Sequence, residues 1–286
     1  MTIRARDHVL RAMTEDGAFR VVAARTTDTV QGVLDAQRPS DAVGKLLGDL
    51  VTGTIFLRET MSPDYRVQGF LTGDDGKSRL IADAHPEGIT RGLVQLARGK
   101  TSFPLGPRAR LTMMRSLHSG ALQQGVVEFP ESGDVSTALM EYMQISEQIV
   151  TFVAVSSLVR DGKCEAAGGY LVQLLPETRR DGLAALTERL AKFTHIDALI
   201  RSGEGDPDKL LAAVLEGHPF HTVGEDELRF GCNCSNERVA ASLATLPKTD
   251  IADLIKSGEV LEIACDYCKV EYRIAPDHLR GLLAEN

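Results

Sequence analysis

Four cysteines near the C-terminal end restrict what this 286-residue chain can fold into. Cys232 and Cys234 stand in Cys-Asn-Cys, and Cys265 and Cys268 in Cys-Asp-Tyr-Cys. Two close pairs of thiols suit a tetrahedral Zn²⁺, because each short segment turns two sulfurs toward one ion. Four thiolates fill every coordination position and leave none for a substrate or an activated water. The expected ion is therefore structural or regulatory and not catalytic. The spacing departs from a zinc ribbon in two ways. The first pair is Cys-x-Cys, and the gap from Cys234 to Cys265 exceeds the roughly 15–20 residues usual between ribbon knuckles.

The fifth cysteine, Cys164, makes the count odd, and the segment from Met1 to His8 lacks an apolar signal region. Together these point to a reducing cytoplasm and metal-bound thiolates, not a disulfide scaffold. The net charge of −8 argues against nucleic acid or an anionic membrane surface as the main partner. No apolar run approaches the roughly 20 residues of a membrane span. Hydrophobic residues at 43% are enough for a real core.

Along the chain, Phe19–Thr26 reads as a strand, and Thr27-Asp28-Thr29-Val30 can cap a following helix that runs toward Gln37. A longer helix starts at Ser40 or Asp41 and carries Val43, Leu46, Leu47, Leu50 and Val51. Gly44, Gly48 and Gly53 on it would allow close packing against a sheet. Tyr65–Leu71 and Arg79–Ala84 alternate as paired strands around Asp74-Asp75-Gly76. Short strands are expected at Leu111–Met114 and Gly125–Phe129, a helix from Asp134 to Val150, and a strand at Thr151–Val155. Another strand is expected to be entered by a Gly168-Gly169 turn and to end at Pro176. Residues 1–178 thus read as one α+β domain.

The character changes after Pro176. Leu183, Leu186, Leu190 and Phe193 form one helical stripe, and Asp206-Pro207 opens a helix through Leu210, Leu211, Val214 and Leu215. This helical segment has too little core to stand alone and must dock on something. It is either a permanent connector or a cover whose docking can be lost. From Phe230 onward, helices are expected at Arg238–Leu246 and Thr249–Lys256. Two strands, Val260–Ala264 and Val270–Ile274, flank the Cys-x-x-Cys tip as a zinc knuckle on a hairpin. Apolar residues are sparse there, so this segment should fold with metal and unfold without it.

Zinc-bound sulfurs are thiolates, the form that peroxide or hypochlorous acid attacks. In each pair a resolving thiol lies one or two residues away. Disulfides Cys232–Cys234 and Cys265–Cys268 would destroy the metal site, yet such short loops remove little unfolded-state entropy. Oxidation would then unfold the segment and act as a switch. A plain structural site that resists oxidants remains the other reading. A nucleic-acid ribbon is weakened by charge: Cys232–Asn286 holds six Lys/Arg against nine Asp/Glu.

Phe230-Gly231-Cys232-Asn233-Cys234-Ser235-Asn236-Glu237-Arg238-Val239 and Cys265-Asp266-Tyr267-Cys268-Lys269-Val270-Glu271-Tyr272 resemble the two halves of the zinc centre of the 33-kDa chaperonin family. The thirty-residue gap between them is similar to that family's as well. Three further stretches agree: Asp83-Ala84 with Thr90-Arg91-Gly92, Tyr142–Gln148 and Gly168–Pro176. The resemblance spans nearly the whole chain. It implies an N-terminal α+β client-binding domain (1–178), a metastable helical linker (179–230) and a redox-switch zinc domain (231–286). It also implies one Zn²⁺ on Cys232, Cys234, Cys265 and Cys268, which become redox-active disulfides on oxidation. The implied activity is that of an ATP-independent holdase for unfolding proteins in the cytoplasm, dimeric when active. Cys164 has no part in that pattern.

Other side chains compete weakly. His218 and His221 could be imagined as ligands, but four cysteines already satisfy one zinc, so these and His195 read as surface or capping histidines. Ser156, Ser157, Asp83 and His85 lack a nucleophile-elbow frame, and Gly168-Gly169 lacks a phosphate-loop context. No enzymatic activity is expected. The alternative to a switched holdase is a constitutive zinc-stabilised module that binds protein or RNA.

Overall fold

Apolar side chains fall on both faces of the strands nearest the N-terminus, and this decides the layering. The computed structural model describes residues 6–117, 119–176, 188–190, 196–203 and 205–284. The first sheet contains β1 His8–Thr14, β2 Phe19–Arg25, β8 Thr151–Arg160, β9 Lys163–Leu174 and β10 Phe220–Glu227. Its strand order is β10-β1-β2-β9-β8, antiparallel throughout. Val9, Val22, Ala24 and Leu171 face one side; Leu10, Ala12, Val21, Ala23, Tyr170 and Val172 face the other. Such a sheet must be covered twice.

On the first side lie α1 Thr27–Gln37, α2 Asp41–Glu59 and α3 Val135–Tyr142. Beyond them is a second sheet of β3 Arg66–Thr72, β4 Arg79–Ala84, β5 Ile89–Gln95, β6 Arg110–Ser116, β7 Leu122–Glu128 and β11 Arg229–Phe230. Its order is β11-β5-β4-β3-β6-β7, with only the short β11–β5 pair parallel. Helix α2 is buried almost all round, with Leu47, Leu50, Val51 and Phe56 fully hidden. Gly48 makes that closeness possible, since a Cβ there would meet Ser157 Oγ at 2.5 Å.

The other side of the first sheet is covered by α4 Asp197–Ser202 and α5 Pro207–Val214. Leu190, Ile196, Ile200, Leu210, Leu211, Val214 and Leu215 pack there on Leu10, Val21, Ala23, Tyr170 and Val172. Helix α5 begins where the sequence places it: Asp206 accepts from Asp208 N, and Pro207 occupies the first helical position. Helices of six and eight residues are not stable alone, so their order depends on this docking. Of the expected stripe, only Leu190 is among the described residues; Leu183, Leu186 and Phe193 lie outside them.

Three local expectations change. The helix expected over 134–150 ends at Tyr142 and continues as one wide π turn, Met143–Glu147. Glu147 holds that turn by accepting from Tyr142 Oη at 2.8 Å and Arg115 Nη1 at 2.9 Å. Gly168 and Gly169 lie inside β9, not in a turn. A Cβ on either would strike a neighbouring strand's carbonyl oxygen, Ala24 O at 2.4 Å or Ala154 O at 2.1 Å. Residues 220–230, at the end of the segment read as helical, form β10 and β11, and β10 pairs with β1.

The chain divides into two compact units, Met1–Gly231 and Cys232–Asn286. The second contains α6 Asn236–Leu243, α7 Lys248–Ser257, the hairpin β12 Leu261–Ala264 and β13 Glu271–Ile274, and α8 Pro276–Ala284. Its buried core is small: Leu243, Ile251, Ile274 and Leu279. The architecture is α+β with a small cysteine-bearing C-terminal unit. No described helix is long and apolar enough to cross a membrane.

Candidate metal centre

The hairpin brings its cysteines together through its turn. Cys265 N donates to Val270 O (2.9 Å), and Lys269 N donates to Cys265 O (2.8 Å). Lys269 takes a left-handed conformation, φ 60°, that lets the chain reverse beneath the two sulfurs. The other pair sits just before α6. Ser235 caps that helix by accepting from Arg238 N (3.3 Å), which fixes the end of the Cys232–Cys234 segment.

These two segments converge. Cys232 Sγ lies 3.8 Å from Cys265 Sγ, and Cys234 Sγ lies 3.3 Å from Cys268 Sγ. All four sulfurs lie within 4.8 Å of one another, and each cysteine is half-buried. Metal–sulfur bonds of about 2.3 Å in a tetrahedron require neighbouring sulfurs about 3.8 Å apart, so the set fits one soft, four-coordinate divalent ion. None of the cysteines is in a disulfide. Burial, then the neighbouring thiols, push the Cys268 thiol up to about 12. Four thiolates this close need a cation among them to ionise together.

A fifth residue joins the centre that the cysteine spacing could not reveal. Tyr272, in β13, donates its hydroxyl to Cys234 Sγ at 2.9 Å. That hydrogen bond is the first cause of the upward shift of the Tyr272 phenol, which therefore stays protonated and a donor.

The other sequence candidates do not assemble a site. His218 stacks edge-on against Phe19, with ring centroids 5.6 Å apart, and His221 is exposed on β10. His195 is outside the described residues. Ser156 and Ser157 are buried in β8 on opposite faces of the first sheet, Ser157 on the side of α2. Asp83 is a fully buried ionic hub: Arg66 binds both its oxygens at 2.7 Å, Arg91 Nε lies at 2.9 Å and His85 Nε2 at 3.2 Å. Burial opposes ionisation of Asp83, but His85 and Arg66 outweigh it and hold its carboxyl well below the usual range. Asp83 and Arg91 are direct cross-strand partners, so their pairing explains that stretch structurally. Cys164 is buried in the main core, with its backbone N–H on Gln31 Oε1.

Comparison with known proteins agrees with this geometry. The family profile described as Hsp33 protein matches residues 7–275. The 33 kDa chaperonin of Syntrophotalea carbinolica is 32% identical, over 98% of this chain and all of its own length. That of Listeria welshimeri is 28% identical over 98% of this chain and 99% of its own. The crystal structure of the Thermotoga maritima 33 kDa chaperonin, a heat shock protein 33 homologue, shares the fold at a TM-score of 0.81. It is 20% identical and covers 98% of this chain and 99% of its own. With its cysteine cluster and a profile match across almost its full length, this chain belongs to the Hsp33 family.

Proposed function

We propose that this chain is a redox-regulated, ATP-independent chaperone, a holdase that is silent when reduced and binds unfolding proteins when oxidised. The convergence of the Cys232, Cys234, Cys265 and Cys268 sulfurs carries this reading, and membership of a family whose relatives are named 33 kDa chaperonin supports it. Zn²⁺ is the proposed ion because four thiolates in a tetrahedral set are its preferred structural ligands. Bound there, it would supply a crosslink between the two cysteine segments and keep their sulfurs ionised.

The proposed parts are a client-binding domain (1–178), a metastable linker (179–230) and a zinc domain (231–286). Cys232 with Cys234, and Cys265 with Cys268, would form disulfides on oxidation. Each bond then joins near neighbours and no longer ties the two segments together. With so small a core, the second unit would unfold. Loss of the α4–α5 cover would expose Leu10, Val21, Ala23, Tyr170 and Val172 of the first sheet. That apolar face is the candidate surface for clients. Five cysteines held in no disulfide suit a reducing cytoplasm, and a dimer is proposed for the active form.

The test is light scattering by a denaturant-unfolded client, with the chain either reduced and zinc-loaded or pre-oxidised and zinc-free. Suppression only by the oxidised form supports the switch. Equal behaviour in both states would make the metal structural and favour a constitutive binding module. Cys234→Ser should also hold clients without oxidant, and a variant that still needs oxidant would break the proposed link.

A further inference from the structure

The hydrogen bond from Tyr272 reaches a sulfur that either route to the first disulfide must use. Oxidation of the Cys232–Cys234 pair by peroxide takes two steps. One thiolate attacks a peroxide oxygen, the O–O bond breaks, hydroxide leaves and a sulfenic acid forms. The second thiolate then attacks that sulfur, the S–O bond breaks, a second hydroxide leaves and the S–S bond forms. Two electrons pass from the sulfurs to one peroxide, and two protons from solvent turn the two hydroxides into water. Cys234 is either the first nucleophile or the second.

A donor on Cys234 Sγ draws electron density from the lone pair that must attack. The Tyr272 hydroxyl lies 2.9 Å from that sulfur. Its ring is held in β13 opposite Ile263 of β12, so the donor arrives from the hairpin that bears the second cysteine pair. Partners outside the ligand set commonly tune a metal–sulfur centre in this way. We infer that the Tyr272 hydroxyl restrains oxidation at Cys234 and so raises the oxidant level at which the centre opens. This makes Tyr272 a positioning residue of the switch and rests on the proposed redox reading.

Tyr272→Phe keeps the ring and removes only the donor. In the full chain loaded with zinc, hydrogen peroxide should release zinc from Tyr272→Phe about threefold to tenfold faster than from wild type. That is the share of a charge-assisted hydrogen bond lost as sulfur gives up its electron pair. Alkylation followed by mass spectrometry should show the gain at Cys234. In cobalt-loaded protein the sulfur-to-metal charge-transfer band should move to lower energy in the variant, which a merely structural role for the hydroxyl would not produce. If Tyr272→Phe fails to retain metal, 3-fluorotyrosine at 272, a stronger donor of the same shape, should slow release below wild type. Equal release rates with an unmoved band would overturn the inference alone. A wild-type chain that keeps its zinc under peroxide would overturn the proposed function, and this inference with it.

Discussion

Leu211→Ala is the sharpest probe of whether the α4–α5 cover can leave its sheet independently. Leu211 is 2% exposed and sits among Leu210, Val214 and the outer side chains of β1 and β2. Removing a buried leucine side chain to alanine costs about 2–5 kcal/mol, part transfer and part cavity. Because α4 and α5 are too short to persist undocked, that cost should fall on the docking equilibrium and not on the sheet. At about 1.4 kcal/mol per decade, the open population should rise roughly 30-fold to several-thousand-fold. Amide hydrogen exchange under native conditions reads this directly. Amides of Asp197–Ser202 and Asp208–Val214 should exchange faster by that factor, while the central strands β2 and β9 should hold their protection. Client holding by the reduced chain should appear in the same variant. Uniform acceleration across Met1–Gly231 would show that cover and sheet open as one unit, and the reasoning that separates them would be wrong.

Other outcomes follow from the same structure. Removing the metal with a chelator from reduced protein should abolish the helical and hairpin signals of Cys232–Ala284 in a ¹H–¹⁵N spectrum and leave those of the first unit in place; an unchanged second unit would show that its four-residue core suffices. Asp49, 5% exposed in α2, is pushed up to about 6 by burial, with Lys45 Nζ at 2.7 Å offsetting part of that. A carboxyl raised when folded binds its proton more tightly there than in the unfolded chain, so stability is lost as pH rises from about 4 through 6. The stability of Asp49→Asn relative to wild type should therefore rise by on the order of 3 kcal/mol between pH 4 and pH 7.5, as read from urea midpoints. Gly169→Ala would place a methyl 2.1 Å from Ala154 O, between β9 and β8, and should cost more than about 2 kcal/mol; a urea midpoint matching wild type would refute that close approach.

The centre was legible in the sequence because its chemistry is written in residue type and spacing. Cysteine pairs announce a metal site whatever the chain between them does. The strands β2, β3 and β4 were legible through alternation. β5 was not, because Arg91 and Gly92 interrupt its apolar pattern; Arg91 belongs there as half of a buried pair with Asp83, a partner on another strand. β1 was hidden by Arg11, whose charge is spent on Glu59 and Asp226. β10 ends in Gly-Glu-Asp-Glu, an unpromising strand by composition, and exists because its backbone pairs with β1 at the sheet's edge. Tyr272 reads in sequence only as an alternating residue of a hairpin. Its target sulfur lies 38 residues earlier and becomes a neighbour only after folding.

The placement of β10 has a further consequence for how a client would be released. The chain leaves the first sheet at the end of β9, Leu174, and rejoins the same sheet at Phe220. A cover lifted between those points stays tethered at both ends. It is an intramolecular competitor for the face it vacates, and tethering of this kind gives effective concentrations in the millimolar range. Any client on that face would be opposed continuously by a rival that cannot diffuse away. Holding would then be weak and reversible by design. Once the thiols are reduced and the cover's own docking energy is restored, mass action alone would displace the client, with no nucleotide consumed.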